Sequence, residues 1–572
     1  MKMYRQDKYV WILTAVCIVS LFLFLGEALF NTRGEPREAV VALSMLEKGN
    51  WILPVNNGVD MAYKPPLFHW CIALASTVIG QVTEYTSRMP SALALTVMVL
   101  AGYAFYAKRR GREVAFVMAL LTLTNFEVHR AGTNCRVDML LSALMVLALY
   151  QLYRWGEKRM QGVPWTGILC LSGAFLTKGP VGMVLPCLVV AVFLWIRGVS
   201  FWKIFVRFLG VALASCVLPF VWYVAAWRQG GDEFLQLVLE ENVLRFLGKM
   251  SYESHENPAW YNVMTVVAGY VPYTLLVLIS LFCLKYKKIR TNPSQWWPRF
   301  REYIRGMDDA RLFSLLSIAV IFIFYCIPKS KRSVYLLPIY PFIAYFLAEY
   351  ILYLMRVRPV AVKIFSGVMA TLSMLLLAVF VALRLGVVPE TIFSGRHAAE
   401  NIAFMRALET VPLDVASTLV VGLMVLVSVA CFSMLRRTDF RQGHYMAIAV
   451  VFTVFLSLDG LFTPTVLNVK SDKPVADRIA EIVPEGPIYS YHQNQVEGNP
   501  MRQFTVNFYL GDRVVPFDAY IPTEGYLVAS SEEAEIFVAK NTDYQLNEVF
   551  DSGHRSCDDR KVLHLYQFRK AE

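Results

Sequence analysis

The sequence predicts a polytopic α-helical membrane protein, about thirteen spans, with a small α/β domain after the last of them. Three observations lead there. Of 572 residues, 56% are hydrophobic and 17% charged, whereas a soluble domain runs near 45–50% apolar and about 25% charged. Apolar runs of helix length recur as far as Phe462, and basic residues gather at alternate connections between them. The mean hydropathy of +0.46 excludes a disordered, collagen-like or small disulfide-stapled chain.

A crossing helix needs roughly 20 apolar residues. The runs lie at 10–30, 89–107, 114–126, 139–153, 165–176, 181–196, 204–227, 261–284, 312–327, 334–354, 362–383, 415–435 and 445–462. The third and fifth are short. A further stretch, 67–80, fits an interfacial or re-entrant helix better than a span. Charge decides the count. With a cytoplasmic N-terminus (Lys2, Arg5, Lys8), the basic groups at 108–112, 154–159, 197–203, 285–305, 356–358 and 436–441 all fall on one side, as the positive-inside rule requires. A span at 67–80 would put the later groups outside. Thirteen spans place the tail outside the cytoplasm.

The tail, 463–572, is charged and rich in turn signals. A helix is expected at 473–482 and strands at 488–491, 504–509, 526–529 and 562–568, which together read as an α/β domain on the outer face. The chain thus divides into a membrane domain, 1–462, with a long first outer loop at 31–88, and an extracytoplasmic domain, 463–572. The first run is long enough to span and no small-residue cleavage pattern follows it, so it is expected to be retained. Topology absorbs the net charge of +11, and nucleic acid is not expected as a partner. Eight of the ten cysteines lie in apolar runs; Cys135 and Cys557 are in polar context, and no CxxC pair suggests a zinc site.

The informative charges are those on the outer side. The first outer loop carries Arg33, Glu35, Arg37, Glu38, Lys64 and Arg88. His129, Arg130, Arg136 and Asp138 follow, then Lys178 alone in LTKGPVG, then Glu240, Glu241, Arg245 and His255. Last come Lys329, Lys331 and Arg332 in PKSKRSVYLLP, with Tyr335 beside them. Ionisable groups at membrane depth are costly and mark functional sites. Carboxylates among several cations suit a phosphate-bearing lipid: the cations hold the phosphate, and a carboxylate takes a proton from an attacking hydroxyl. Plainer readings stand beside this one. Lys329, Lys331 and Arg332 would also bind acidic headgroups, Glu38 and Arg130 also read as loop charges or local ion pairs, and His255 as a structural histidine. Lys64 and Lys178, flanked by apolar or proline residues, are hardest to explain in such ways.

The stretch RGEPREAVVALSMLEKGNWILPVNNGVDMAYKPPLFHW resembles the first outer loop of the lipid A aminoarabinose transferases and protein O-mannosyltransferases, members of the GT-C glycosyltransferase superfamily. RMPSAL, RVDMLL, AFLTKGPVG, ENVLRF, HENPAWYN and SKRSVYLLPIYPF then match in the same order. The resemblance covers most of the chain from about Asn31 to Tyr345, and beyond that only the general architecture matches. It implies a GT-C-like fold and a polyprenyl-phosphate-linked sugar donor, with transfer to a lipid A-like glycolipid or a protein hydroxyl at the outer face of the bacterial inner membrane. The first-loop motif of that family is usually Asp-Glu-x-Arg. Here it is Gly34-Glu35-Pro36-Arg37, so Glu35 matches the second acid and the first is absent. The base role falls to Glu35 or to Asp138. Arg33, Arg37, Lys64, Lys178, Arg245, His255, Lys329, Lys331 and Tyr335 are the expected donor and phosphate contacts. Tyr63 stands where the family has Glu before Lys-Pro-Pro, so a divalent metal has no support in this sequence.

Two other functions use intramembrane charges: a lipid-linked glycan flippase or transporter, and a glycan polymerase. The first commonly shows paired half-repeats with broken helices, and no internal repeat is evident. The second need not carry the ordered first-loop motifs.

Overall fold

The computed structural model describes residues 7–244, 256–258, 260–285, 296–437, 440–492, 495–496, 499–500 and 502–571. Each of the thirteen apolar runs contains helix. Eight helices among the described residues are long and apolar enough to cross a membrane, nine if Tyr261–Gly269 and Tyr273–Cys283, bent by 93°, make one span. The remaining four runs form Lys8–Phe22, Arg112–Leu123, Trp165–Lys178 and Val181–Ile196, of 12 to 16 residues. Length and composition therefore give a multi-pass membrane protein, with eight or nine crossings within reach of the described helices on these grounds alone. The count of thirteen requires these four shorter helices to cross as well. Leu67–Ile79 has 13 residues, about 20 Å of helix, short of a bilayer core of about 30 Å.

One continuous apolar core joins the helices from Leu13 to Val451. Ring stacking fills its centre, with Tyr106 on Tyr345 at 4.5 Å and Phe105 on Tyr150 at 4.4 Å between centroids. Charged groups separate to the two ends of the bundle. At one end Arg109 meets Glu157 (2.6 Å), Arg110 and Arg311 share Glu349 (2.5 and 2.8 Å), and Arg197 meets Asp309 (2.6 Å). Several basic groups from separate connections thus meet on one side, as the charge pattern demands.

The first loop builds the other end. Pro36–Lys48 starts with Pro36, whose fixed φ and missing N–H suit a first helical position, and stops at Gly49 with φ 70°. A two-residue hairpin, Val55–Asn56 with Asp60–Met61, follows, and then Leu67–Ile79. Thr83 caps Glu84–Arg110 by accepting the Thr86 N–H (3.2 Å) while Thr86 Oγ1 accepts the Thr83 N–H (2.9 Å). The long helix Phe201–Leu239 breaks at Gly231, whose φ of 58° favours glycine. Beside the break a side chain at Gly230 would meet Leu53 and Phe234. The helix can thus turn against the loop, and Trp222 Nε1 donates to the Ile52 carbonyl (3.0 Å).

A small α/β domain closes the chain. Its five-stranded sheet runs in the order Val514–Pro516, Ile488–Ser490, Glu524–Ala529, Val562–Lys570, Tyr544–Arg555. The first three strands are parallel and the last two join antiparallel. Lys473–Ile482 is the expected helix. The expected strand at 504–509 is instead the helix Phe504–Tyr509. Its aromatic and β-branched residues read as a strand, but the segment packs on two sides. Val506 enters the domain core, while Phe508 and Tyr509 pack with Phe30 and Ala39 of the first loop. Four successive buried residues, 505–508, suit a helix wedged between two layers and not a strand with alternating faces.

The domain is fastened to the first loop by polar ties. Asp512 accepts from Lys48 Nζ (2.6 Å), the Asn57 N–H (2.7 Å) and Asn507 Nδ2 (2.9 Å). Arg502 holds Asp60 through two bonds of 2.8 and 3.0 Å. The tail and the first loop therefore share one end of the molecule, opposite the basic clusters. All ten cysteines are free thiols.

Candidate functional site

The first loop, the bent end of Phe201–Leu239 and the tail enclose a cavity of ≈ 300 Å³. Arg33, Arg37 and Lys64 supply its cations, Glu38 and His69 its buried polar pair, and Arg502 reaches in from the tail. Val41, Met61 and Leu237 add apolar wall. Glu38 is the third residue of its helix, where the helix dipole favours an anion. It shares a face with Ala42 and Met45, both buried. His69 occupies the matching buried face of Leu67–Ile79, with Ile72, Ala73 and Ser76.

Glu38 is 6% exposed and His69 2%. His69 Nε2 lies 2.9 Å from Glu38 Oε2, and Arg37 Nη2 donates to Glu38 Oε1 at 3.2 Å. Burial by itself would raise the Glu38 carboxyl. The His69 hydrogen bond and the charges of Lys64 and Arg37 outweigh it and hold the group well below the usual carboxylate range. Glu38 is therefore held as an anion by Lys64 and Arg37, with Arg33 and Arg502 also in the lining.

Glu35, one turn earlier, is outside the cavity lining. Its Oε1 accepts from Arg88 Nε (2.8 Å) and the Cys135 N–H (2.8 Å), and its Oε2 from Arg88 Nη2 (3.0 Å). Arg88 also donates to the Leu25 and Ala28 carbonyls and lies over the Phe30 ring. Burial opposes ionisation of Glu35, and Arg88 with the Cys135 N–H overcomes it, leaving the carboxyl below its ordinary range. Gly34, at the position of the absent acid, has Arg136 against it: a Cβ there would lie 1.9 Å from Arg136 Nη2.

Asp138 and Lys178 form a second cluster. They are joined by a short hydrogen bond, and the Lys178 ammonium sits 4.4 Å above the Tyr335 ring. Glu38 and Arg136 both act on the Asp138 charge, so this cluster and the cavity share one field. Lys331 is buried and donates to the carbonyls of Asn257 (3.1 Å) and Lys329 (3.4 Å); Lys329 itself is exposed. The expected contacts Arg245 and His255 lie outside the described residues. The structure thus gathers Arg33, Arg37 and Lys64 in one cavity, sets Lys178, Tyr335 and Asp138 together beside it, and turns Glu35 and Lys331 toward protein partners.

Sequence reasoning passed over His69, Arg502 and the role of Glu38. The signal for the first and third was present: each lies at i, i+4 or i+7 spacing with buried residues of its own short helix. Among the described residues, Glu548, Asp551 and His564 have ligand atoms within 4.8 Å of one another. These side chains belong to the two antiparallel strands Tyr544–Arg555 and Val562–Lys570 of the tail sheet, and two of them are exposed.

The Dolichyl-phosphate-mannose-protein mannosyltransferase family matches residues 63–223, which contain Lys64, His69, Asp138 and Lys178. The crystal structure of ArnT from Cupriavidus metallidurans bound to undecaprenyl phosphate superposes with a TM-score of 0.68, covering 97% of this chain and 98% of that one at 19% identity. The chain has the fold of ArnT. An undecaprenyl phosphate-alpha-4-amino-4-deoxy-L-arabinose arabinosyl transferase of Proteus mirabilis is 28% identical over 359 residues, 60% of each chain. An uncharacterized protein of Aquifex aeolicus is 26% identical over 341 residues, 59% of this chain and 63% of its own. The matched region spans 60–63% of the length of these curated relatives. These findings agree with the resemblance drawn from the motifs, and the ArnT fold covers the tail as well as the helices.

Proposed function

We propose that the chain is an integral membrane glycosyltransferase. It moves a sugar from a polyprenyl-phosphate-linked donor to a hydroxyl of a lipid A-like glycolipid or a protein, at the outer face of the bacterial inner membrane. The observation that carries this reading is the cavity in which Arg33, Arg37 and Lys64 surround a buried anion under the loop and tail. Such cations hold a phosphate through charge-assisted hydrogen bonds and stabilise it as it leaves with the electron pair of the sugar–oxygen bond. Relatives named as arabinosyl transferases and the ArnT structure with undecaprenyl phosphate support the donor class. Residues 1–462 form the catalytic membrane domain. Residues 463–572 form an extracytoplasmic domain that closes the site. Thirteen crossings would put it opposite a cytoplasmic N-terminus. Lys178 with Tyr335 and Asp138 extends the phosphate site, and Arg245, His255, Lys329 and Lys331 remain candidate donor contacts by their place in the motifs.

The test is turnover by the full chain in nanodiscs, with a panel of undecaprenyl-phosphate-linked pentoses and hexoses. Release of undecaprenyl phosphate, dependent on a lipid A or peptide acceptor, is the expected result. Movement of the intact donor across the bilayer without cleavage would make the protein a transporter and refute the reading.

A further inference from the structure

We propose that Glu38, oriented by His69, is the base that takes the acceptor proton in this chain, filling the role left open where Gly34 replaces an acid. The inference deepens the transferase reading and rests on it.

The base must present a carboxylate oxygen to the space in which cations hold the donor phosphate. Three carboxylates line the cavity: Glu38, Asp60 and Glu233. Arg502 holds both oxygens of Asp60, and Glu233 is exposed at the mouth. Glu38 is buried and faces Lys64 and Arg37. Of the two carboxylates outside the lining, Glu35 spends its oxygens on Arg88 and the Cys135 N–H, and Asp138 is engaged by Lys178. A carboxylate has about four lone-pair sites. His69 and Arg37 occupy one on each oxygen of Glu38, leaving acceptor capacity on both.

The same cations explain how an anion so well stabilised can act as a base. By themselves, Lys64 and Arg37 favour the ionised carboxylate. When a donor phosphate binds them, its negative charge offsets theirs, and the proton affinity of Glu38 rises. Donor binding thus converts a counterion into a proton acceptor. In the step that follows, the acceptor hydroxyl gives its proton to a Glu38 oxygen as its own oxygen bonds to the anomeric carbon. The bond from that carbon to the phosphate oxygen breaks, and its electron pair leaves on the polyprenyl phosphate. His69 holds the carboxylate in line and is a positioning residue.

The experiment compares wild type, Glu38→Gln, Glu38→Asp and His69→Gln in nanodiscs, measuring undecaprenyl phosphate affinity and the kcat and KM of transfer. General-base catalysis contributes about 10²–10⁴-fold. Glu38→Gln should therefore lose at least a hundredfold in kcat, yet bind undecaprenyl phosphate as tightly as wild type or more so, since a competing anion is gone. Glu38→Asp should recover at least tenfold over Glu38→Gln. His69→Gln should lower kcat about tenfold with KM for donor unchanged. A merely structural pair would lose affinity and turnover together, and that result overturns the proposal, as does transfer by Glu38→Gln within threefold of wild type. If Glu38→Gln does not fold, full kcat in both other variants refutes it. Wild type inactive on every donor would defeat the transferase reading itself, a distinct outcome.

Discussion

The ion pair of Glu35 with Arg88 offers the sharpest separation of structure from chemistry. Both side chains are buried, at 7% and 4% exposure, and three N–H groups point at the two Glu35 oxygens. Glu35→Gln keeps the shape but leaves one acceptor oxygen and turns an NH₂ toward at least one donor. Breaking one side of a buried pair costs about 3–5 kcal/mol, because the remaining charge is uncompensated. Arg88 retains its bonds to the Leu25 and Ala28 carbonyls, so a value near the lower end, about 3 kcal/mol, is expected. The assay is the thermal midpoint of monodisperse protein in detergent, with turnover per folded molecule measured on the same fractions. Glu35→Gln should unfold several degrees earlier while its folded fraction transfers sugar within about threefold of wild type. A Glu35→Leu/Arg88→Met double variant, which removes both charges at similar volume, should recover most of the midpoint. A Glu35→Gln protein as stable as wild type but without transfer would refute this reasoning and return the base to Glu35.

Three further outcomes follow from the geometry. Lys64→Ala and Arg37→Ala should each weaken undecaprenyl phosphate binding about ten- to a hundredfold, since a charge-assisted contact contributes roughly 1.5–3 kcal/mol; unchanged affinity by calorimetry would remove them from the phosphate site. In the tail, burial pushes Asp558 up to about 7 from 3.8 despite its two Thr505 hydrogen bonds, with Asp472 adding to the rise. The folded form then binds the proton more tightly than the unfolded one, so its stability falls as pH rises from about 4 to about 7, by on the order of 4 kcal/mol. Hydrogen exchange of Val562–Lys570 should show protection declining over that window in wild type and flat in Asp558→Asn; a flat wild-type profile would contradict the burial argument. Reporter fusions at Gly306 and at the C-terminus should report opposite sides of the membrane, and the same side for both would end the thirteen-span topology.

The helices were legible because bilayer length and the cost of unpaired backbone leave a hydrophobic run little choice but helix. That is why 415–435 reads directly as Val415–Leu435. Crossing is harder to read than helicity. Trp165–Lys178 is helical as expected, yet its 14 residues become a span only through its neighbours. The tail misled at 504–509 because local propensity favours a strand, while contacts nearly five hundred residues away at Phe30 require two packed sides. The strand Tyr544–Arg555 escaped notice for a related reason. It is an edge strand, largely exposed and with two register shifts, so it lacks a clean alternation.

The site was legible as a set of charges but not as a set of pairings. Arg33, Arg37 and Lys64 stood out because cations on the outer side violate the topology rule, and sequence carries that rule. Which carboxylate each cation answers is decided by tertiary contacts such as Arg88 reaching back to Glu35 across 53 positions. In the sequence Glu35 takes the catalytic role by its place in the motif, and Glu38 reads as a loop charge because neighbouring arginines suffice to explain it. The fold reverses their burial partners. Arg88 and a backbone N–H close around Glu35, whereas His69 and Arg37 each bond one oxygen of Glu38, which lines the cavity. Four positions earlier, Gly34 lies ahead of the helix with Arg136 packed where a side chain would stand, so the two positions meet different cations although the sequence sets them in one motif.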